Sequence, residues 1–355
     1  MTVLSVGYPL MPVGPDSGGG AEQILSAMER GLFDAGHDSI VIAAAGSEVR
    51  SQLIETPAPN GEITDETRQW AQCIHLGRIE QALRTRSIDL IHFHGLDFHN
   101  YIPRGNTPVL ATLHLPVSWY PEWILTKPNL HLNCVSEHQA QSTPGAAKLP
   151  VVLNGVDVER YPHSSNAREY CLVLARICPE KGVDAALRAA HRFDIPMLIA
   201  GPVHPFRDHQ AYFAERVQPL LDARRQYIGP VGINDKPGLL ANARCLLVPS
   251  LVAETSSLVA MEATSSGTPV IAFRSGALPE VVEHGITGFI VDSEDQIGEA
   301  WARVTEINSE TCRARAELRF NGRRMVNDYL ALYSHIAPEI SGERARLLGH
   351  AGITR

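Results

Sequence analysis

Short apolar blocks alternate with longer amphipathic ones along this chain. In the first half Val3–Val6, Ile40–Ala44, the I-D-L-I-H-F-H-G stretch at 88–95, Val109–Leu113, Leu132–Val135 and Val151–Leu153 have strand length. In the second half Tyr170–Ala175, Met197–Ala200, Cys245–Val248, Val270–Phe273 and Phe289–Val291 repeat the pattern. Helical spacing fills the gaps between them. Ala21–Asp34 carries Ile24, Leu25, Met28 and Leu32 on one face, and residues 66–86 place Trp70, Cys73, Leu76, Ile79 and Leu83 on an expected core face. Further helices are expected through Val183, Leu187 and Ala190, over Leu239–Ala243, and over Asp295–Val304. A last one should carry Phe320, Met325, Val326, Tyr329, Leu330 and Tyr333. Strands alternating with helices predict parallel sheets. At 355 residues the chain can form two domains, each with its own core.

The stretch Pro249–Glu283 concentrates the candidate chemistry. The strand Cys245–Val248 stops at Pro249, and a loop with Glu254 follows. Thr255, Ser256 and Ser257 are N-cap residue types, so a helix is expected over Leu258–Ser265, with Gly267 as its stop. A helix N-terminus offers unpaired N–H groups and partial positive charge, which suit a phosphate. Glu254 lies before that helix and Glu262 in its second turn. An ionised carboxylate only accepts hydrogen bonds, which suits sugar hydroxyls. A diphosphate between two hydroxylated rings, a nucleotide sugar, fits this pattern.

Glu254 and Glu262 in an E-x7-E frame, S-G-T-P-V-I-A at 266–272, and G-A-L-P-E-V-V-E-H-G-I-T-G-F-I-V at 276–291 resemble the donor-binding signature of family-four retaining glycosyltransferases. The resemblance implies an α/β GT-B fold: two Rossmann-like domains with parallel sheets facing across a cleft. It further implies residues 1–153 as the N-terminal, acceptor-side domain and 154–318 as the nucleotide-sugar domain. Residues 319–337 are then a helix crossing back to the first domain, with 338–355 as a tail. N-G-V-D at Asn154–Asp157 resembles the family's crossing point. The family usually has Phe-Gly or a similar pair where this chain has Ser256-Ser257.

Other candidate positions follow from placement and resemblance together. Arg176 and Lys181 stand just past a strand end, where ligands gather in such sheets, and match the family's R-x4-K-G motif. A surface ion pair is the ordinary alternative, but only four lysines occur in the chain (127, 148, 181 and 236), so composition does not explain Lys181. Gly19 and Gly20 belong to a glycine run that is either a flexible turn or a close approach to a phosphate or sugar. The following G-G-A-E and helix match the family's opening. Gly201-Pro202 closes a strand, and Val231 sits in a segment resembling the family's base-binding turn. His114 follows Val109–Leu113, and the family places there a histidine contacting the donor near the reacting centre. Trp119, Tyr120 and Trp123 form either an acceptor-stacking surface or a hydrophobic plug.

The resemblance implies transfer of a sugar, with retention of configuration, from a UDP- or GDP-type donor to a hydroxyl-bearing acceptor. Arg176, Lys181, His114 and Glu254 are the expected catalytic set. The donor contacts are Gly19, Gly20, Gly201, Pro202, Val231, Thr255, Ser256, Ser257, Leu258 and Glu262. No D-x-D pair is present, and no cofactor or metal is expected, although His92, His94, His99 and His114 leave a histidine metal site conceivable. The fold without a G-x-G-x-x-G fingerprint disfavours a nicotinamide enzyme. A GT-B sugar-nucleotide epimerase and a non-catalytic nucleotide-sugar-binding protein remain as alternatives.

Composition removes other classes. Hydrophobic content of 44% and charged content of 20% are those of a globular protein, and the formal net charge is −8. Residues 1–150 carry nine basic and fifteen acidic side chains, so nothing favours nucleic acid or an anionic membrane. Six cysteines without a C-x-x-C pair are expected to be buried free thiols. No signal peptide or membrane span is expected, which points to the cytoplasm.

Overall fold

The computed structural model describes residues 1–58, 63–145, 148–163 and 169–337. The expected 338–355 tail lies outside the described residues. The chain divides into two compact units. One comprises Met1–Val135, Ala140–Leu153 and the helix Gly322–Ile336, and the other Ser136–Gln139 and Asn154–Asn321.

The first unit is built on six strands: β1 (Thr2–Val6), β2 (Asp38–Ala44), β3 (Gln52–Thr56), β4 (Leu90–Phe93), β5 (Val109–Thr112) and β6 (Leu130–Asn133). They pair in parallel in the order β3-β2-β1-β4-β5-β6. Central strands such as β2 read as continuous apolar runs because both faces are covered. Leu4, Ile42, Ile91 and Phe93 pack on one face, while Val41 and Ala43 meet Leu25 on the other. The helix Gly20–Asp34 buries Ile24, Leu25, Met28 and Leu32, the i, i+1, i+4, i+8 set of one face. Full burial of each such side chain stabilises by roughly 1.5–3 kcal/mol.

Three expectations in this unit are corrected. The helix Asp65–Thr85 buries Ala71, His75, Ile79 and Ala82, while Trp70 is 45% exposed and Cys73 lies at the surface. Leu76 and Leu83 pack, partly buried, against the same core, and Trp70 is turned outward. The other five cysteines are buried, and all six are free thiols. Val151–Leu153 forms no strand; Val151 makes an isolated bridge to Cys134. The strand β3 was not anticipated.

The second unit carries β7 (Tyr170–Leu174), β8 (Met197–Ala200), β9 (Arg225–Gly229), β10 (Ala243–Val248), β11 (Val270–Phe273) and β12 (Gly288–Val291), parallel in the order β12-β11-β10-β7-β8-β9. The two-residue period separates its cores. Val173 and Leu247 face one layer with Val183, Leu187 and Ile199, whereas Leu172 and Leu246 face the other with Met261 and Leu278. Phe320 belongs to this second core. It caps the helix Ser309–Arg319 and is not part of the last helix, which begins at Gly322. Among the described residues no helix is long and apolar enough to cross a membrane.

Candidate functional site

In both sheets the strand order reverses at the centre, between β1 and β4 and between β10 and β7. Loops leaving the carboxyl ends of strands diverge at such a switch point, and open α/β sheets bind ligands there. In the second unit the loops after β7 and β10 flank the reversal, and they carry Arg176, Lys181 and Glu254.

Lys181 ends a short 3-10 turn, Pro179–Lys181, and its Nζ donates to Glu254 Oε1 at 2.5 Å. Ser250 Oγ donates to the same oxygen at 2.5 Å. Leu251 N donates to the Glu180 carbonyl at 2.8 Å, tying the two loops together along the backbone. The Glu254 backbone is held from the other side, where Ala277 N donates to its carbonyl at 2.8 Å. Gly276 has φ +56°, and a Cβ there would stand 2.2 Å from the Glu254 carbonyl oxygen. The G-A-L-P segment thus fixes the Glu254 loop through a close approach only glycine allows. Arg176 is exposed and, among the described residues, forms no ion pair.

Gly201 and Pro202 lie beside Arg176. Ile177 N donates to the Pro202 carbonyl at 2.9 Å, and Tyr227 O–H to the Gly201 carbonyl at 2.8 Å. Gly201 has φ +141°, and a Cβ there would stand 1.8 Å from the Ala175 carbonyl oxygen. Val231 follows β9 and is partly buried.

The helix Leu258–Ser265 begins at Ser257, but the Ser257 side chain makes no capping bond. Ser257 thus holds the expected N-cap position without the side-chain bond. Its first-turn amides are not closed by that hydroxyl, and the neighbouring Ser256 Oγ is buried without a hydrogen-bond partner. Thr255 and Leu258 are partly buried beside it. At the other end Gly267, with φ +70°, follows the C-cap Ser266. Glu262 is buried in the second turn, where its Oε1 accepts from Tyr161 O–H at 2.7 Å and from Lys236 Nζ at 2.6 Å. Burial and the facing carboxylate push the Tyr161 phenol well up, so it stays a donor. Neither Tyr161 nor Lys236 was anticipated. The one available signal was the scarcity of lysine, which makes Lys236 notable.

In the first unit Gly19 is the N-cap of the helix Gly20–Asp34. A Cβ on Gly19 would stand 1.9 Å from the buried Glu22 carboxylate. A carboxylate therefore already occupies this helix start, which favours hydroxyls there over phosphate. His114 follows β5, is partly buried, and lies 3.2 Å from His94 through Nε2 and Nδ1. Burial lowers its pKa to about 4, so it is neutral near pH 7.

His92 and His94 are fully buried at the carboxyl end of β4. Each ring nitrogen of both is engaged in hydrogen bonding. A group with ligand atoms within 4.8 Å of one another lies elsewhere, at Cys178, Glu180 and His209. Trp119 and Trp123 are 64% and 46% exposed. Tyr120 is buried against Phe98, and its oxygen accepts from Leu115 N at 3.3 Å. Tyr120 is thus part of a hydrophobic plug, whereas the two tryptophans stay exposed.

Structural comparison defines the fold. The chain resembles AviGT4, a glycosyltransferase involved in avilamycin A biosynthesis, with a TM-score of 0.74, 24% identity, and coverage of 96% of this chain and 98% of that one. It resembles Anabaena HepE in complex with UDP-glucose with a TM-score of 0.74, 17% identity, and coverage of 94% and 100%. The sucrose-phosphate synthase of Thermosynechococcus elongatus gives 0.80 at 18% identity, covering 94% and 98%. At these identities the likeness establishes the fold, which is the α/β GT-B fold.

The family model described as Glycosyltransferase Family 4 matches residues 18–160, and that described as Glycosyl transferases group 1 matches residues 168–307. With both halves matched, the chain belongs to the family-4 glycosyltransferases. Its sequence is 23% identical to the glycogen synthase of Mycobacterium tuberculosis over 93% of this chain and 91% of that protein. It is 29% identical to the D-inositol 3-phosphate glycosyltransferase of Salinispora tropica over 59% of this chain, spanning half (50%) of that protein.

Proposed function

We propose that this glycosyltransferase moves a sugar from a UDP- or GDP-type nucleotide-diphosphate sugar to an acceptor hydroxyl, with retention of configuration and without a divalent metal. The observation carrying this reading is the Lys181–Glu254 pair at the switch point, beside the exposed Arg176. A cation for a diphosphate and a carboxylate for sugar hydroxyls are thereby held 2.5 Å apart. In the transfer the anomeric C–O bond to the diphosphate breaks and the acceptor oxygen bonds to that carbon. The acceptor's proton passes to the departing diphosphate or to solvent. Negative charge grows on the leaving oxygen, so fixed cations there stabilise the transition state over the ground state.

Arg176 and Lys181 supply that charge, aided by the amides at Ser256–Leu258. Glu254 orients the transferred sugar, and Glu262, kept in place by Tyr161 and Lys236, accepts from the ribose. Gly201, Pro202, Thr255 and Val231 line the diphosphate and base. In the first unit His114 contacts the transferred sugar, Gly19 and Gly20 approach the donor, and Trp119 and Trp123 offer faces for the acceptor. A panel of nucleotide sugars tested by thermal shift checks the donor, since ligand at a hundredfold its Kd adds about 2.7 kcal/mol of stability. Turnover with a series of hydroxylated acceptors checks the chemistry. Isomerised donor without acceptor identifies an epimerase, and binding without turnover identifies a non-catalytic protein.

A further inference from the structure

The loop after β7 carries two metal-ligand side chains that the transfer chemistry leaves aside. Cys178 precedes the turn Pro179–Lys181 in an extended conformation, with φ −150° and ψ 159°, and its side chain is buried. Glu180 stands in that turn at the surface. A third comes from the short helix Arg207–Tyr212, which buries His209. One ligand atom from each of Cys178, Glu180 and His209 lies within 4.8 Å of the other two. Around a tetrahedral ion with bonds of about 2.0–2.3 Å, such atoms stand roughly 3.3–3.6 Å apart, so shifts of about 1 Å close the set.

Two further observations favour a cation at this place. Cys178 Sγ faces the Arg176 carbonyl at 3.8 Å and also hydrogen-bonds to the Glu180 carboxylate. A thiol has one proton, and here it meets two acceptors. His209 Nδ1 is buried and, among the described residues, has no hydrogen-bond partner. Buried polar atoms are normally satisfied, and an ion is one kind of partner that accounts for an orphan.

We propose that Cys178 Sγ, a Glu180 carboxylate oxygen and a His209 ring nitrogen bind a zinc-class divalent cation, tying the Arg176–Lys181 loop to the helix Arg207–Tyr212. Binding displaces the thiol proton to solvent, because the thiolate is the ligand. Thiolate and imidazole select zinc or cobalt over magnesium and calcium, which take oxygen ligands. Three protein ligands leave a fourth position for water. The transfer proposed above needs no metal. This ion acts on the turn that presents Lys181 and not on the reacting atoms.

Zinc and cobalt titrations of the full chain, first stripped with chelator, test the site. Calorimetry should show a single tight zinc equivalent per chain, unmoved by excess magnesium, and zinc should raise the unfolding temperature. Cobalt should bring up the near-ultraviolet charge-transfer band of a thiolate ligand, and Cys178→Ser should abolish it. His209→Ala should weaken zinc binding at least about tenfold. Glu180→Gln changes an exposed side chain, so it serves where a buried variant fails to fold, and it should weaken zinc to a similar extent. A cobalt band that survives Cys178→Ser would place the ion at another thiol, such as the exposed Cys73, and overturn the site. So would a wild type that takes up no zinc, a zinc affinity unmoved by Glu180→Gln, or displacement of zinc by magnesium.

Discussion

Lys181 and Glu254, 73 positions apart in the chain, are joined by a 2.5 Å hydrogen bond between Nζ and Oε1, and Ser250 donates to the same carboxylate oxygen. The pair sits at the carboxyl ends of β7 and β10, which are neighbours in the sheet. Replacing either member therefore exposes the other. Lys181→Ala and Arg176→Ala should each lower turnover by about a hundredfold or more, as loss of one oxyanion donor does. They should differ in stability. Lys181→Ala leaves a part-buried carboxylate short of a partner, at a cost of roughly 1–3 kcal/mol, whereas Arg176→Ala should be near neutral. Denaturant unfolding beside steady-state rates checks both, and near-normal turnover in the two variants would remove the cations from the mechanism.

The two glutamates should separate kinetically. If Glu254 orients the transferred sugar as proposed, Glu254→Gln, which keeps shape but removes charge, should lower kcat. If Glu262 holds the remote ribose, Glu262→Gln should chiefly raise the KM for donor. Tyr161→Phe removes one bond to Glu262 and should move KM the same way, by less. Calorimetric donor binding measured alongside settles the assignment; normal binding but lost turnover in Glu262→Gln, with the reverse in Glu254→Gln, would exchange the two roles.

Activity should persist in excess chelator if Arg176 and Lys181 do the work of an ion. Loss of activity, restored by zinc or manganese, would instead implicate a metal. Cys178→Ser and His209→Ala should then be tested first, because those side chains sit with Glu180 in the compact group next to Lys181.

His75 makes a prediction about acid stability. It is fully buried, edge-on to Tyr101 at 5.7 Å, and among the described residues neither ring nitrogen has a hydrogen-bond partner. Burial lowers its pKa to about 4, below the usual 6.5. The folded state therefore holds it neutral where the unfolded chain takes up a proton. Its contribution is complete above about pH 6.5 and is lost as pH falls towards 4. Between pH 8 and pH 5 that loss is on the order of 2 kcal/mol. His75→Phe should abolish this part of the acid loss, seen as a flatter dependence of unfolding free energy on pH. An unchanged pH dependence would rule it out.

Most strands were legible because both faces of a central parallel strand are apolar, leaving runs such as Ile40–Ala44. The edge strand Gln52–Thr56 was not, since exposed Gln52 and Glu55 leave only Leu53-Ile54 as an apolar run. Residues 66–86 misled in another way. Ile79 is buried as expected and Leu76 and Leu83 pack against the core, but the face runs on to Ala71, Ala82 and an unlikely core residue, His75, and leaves out Trp70 and Cys73. Within the site, the positions of Arg176, Lys181, Glu254 and Glu262 could be read from local order along strands and helices. Their partners could not. Tyr161 and Lys236 reach Glu262 from 101 and 26 residues away, and no local pattern encodes such distances.

The last helix has a consequence for how the protein is made. Tyr333 bonds His92, and Tyr329 bonds Thr112 and Asn133, so the buried polar groups of the first sheet are satisfied by residues near the far end of the chain. A ribosome that has finished Leu153 must still build the whole second unit before Tyr329 emerges, which takes roughly ten to forty seconds at ordinary elongation rates. Throughout that interval the nascent first sheet carries His92, Thr112 and Asn133 without their tyrosines. Newly made protein should therefore be most exposed to chaperones and proteases while its second half is being translated, and a chain cut before Gly322 would remain in that condition.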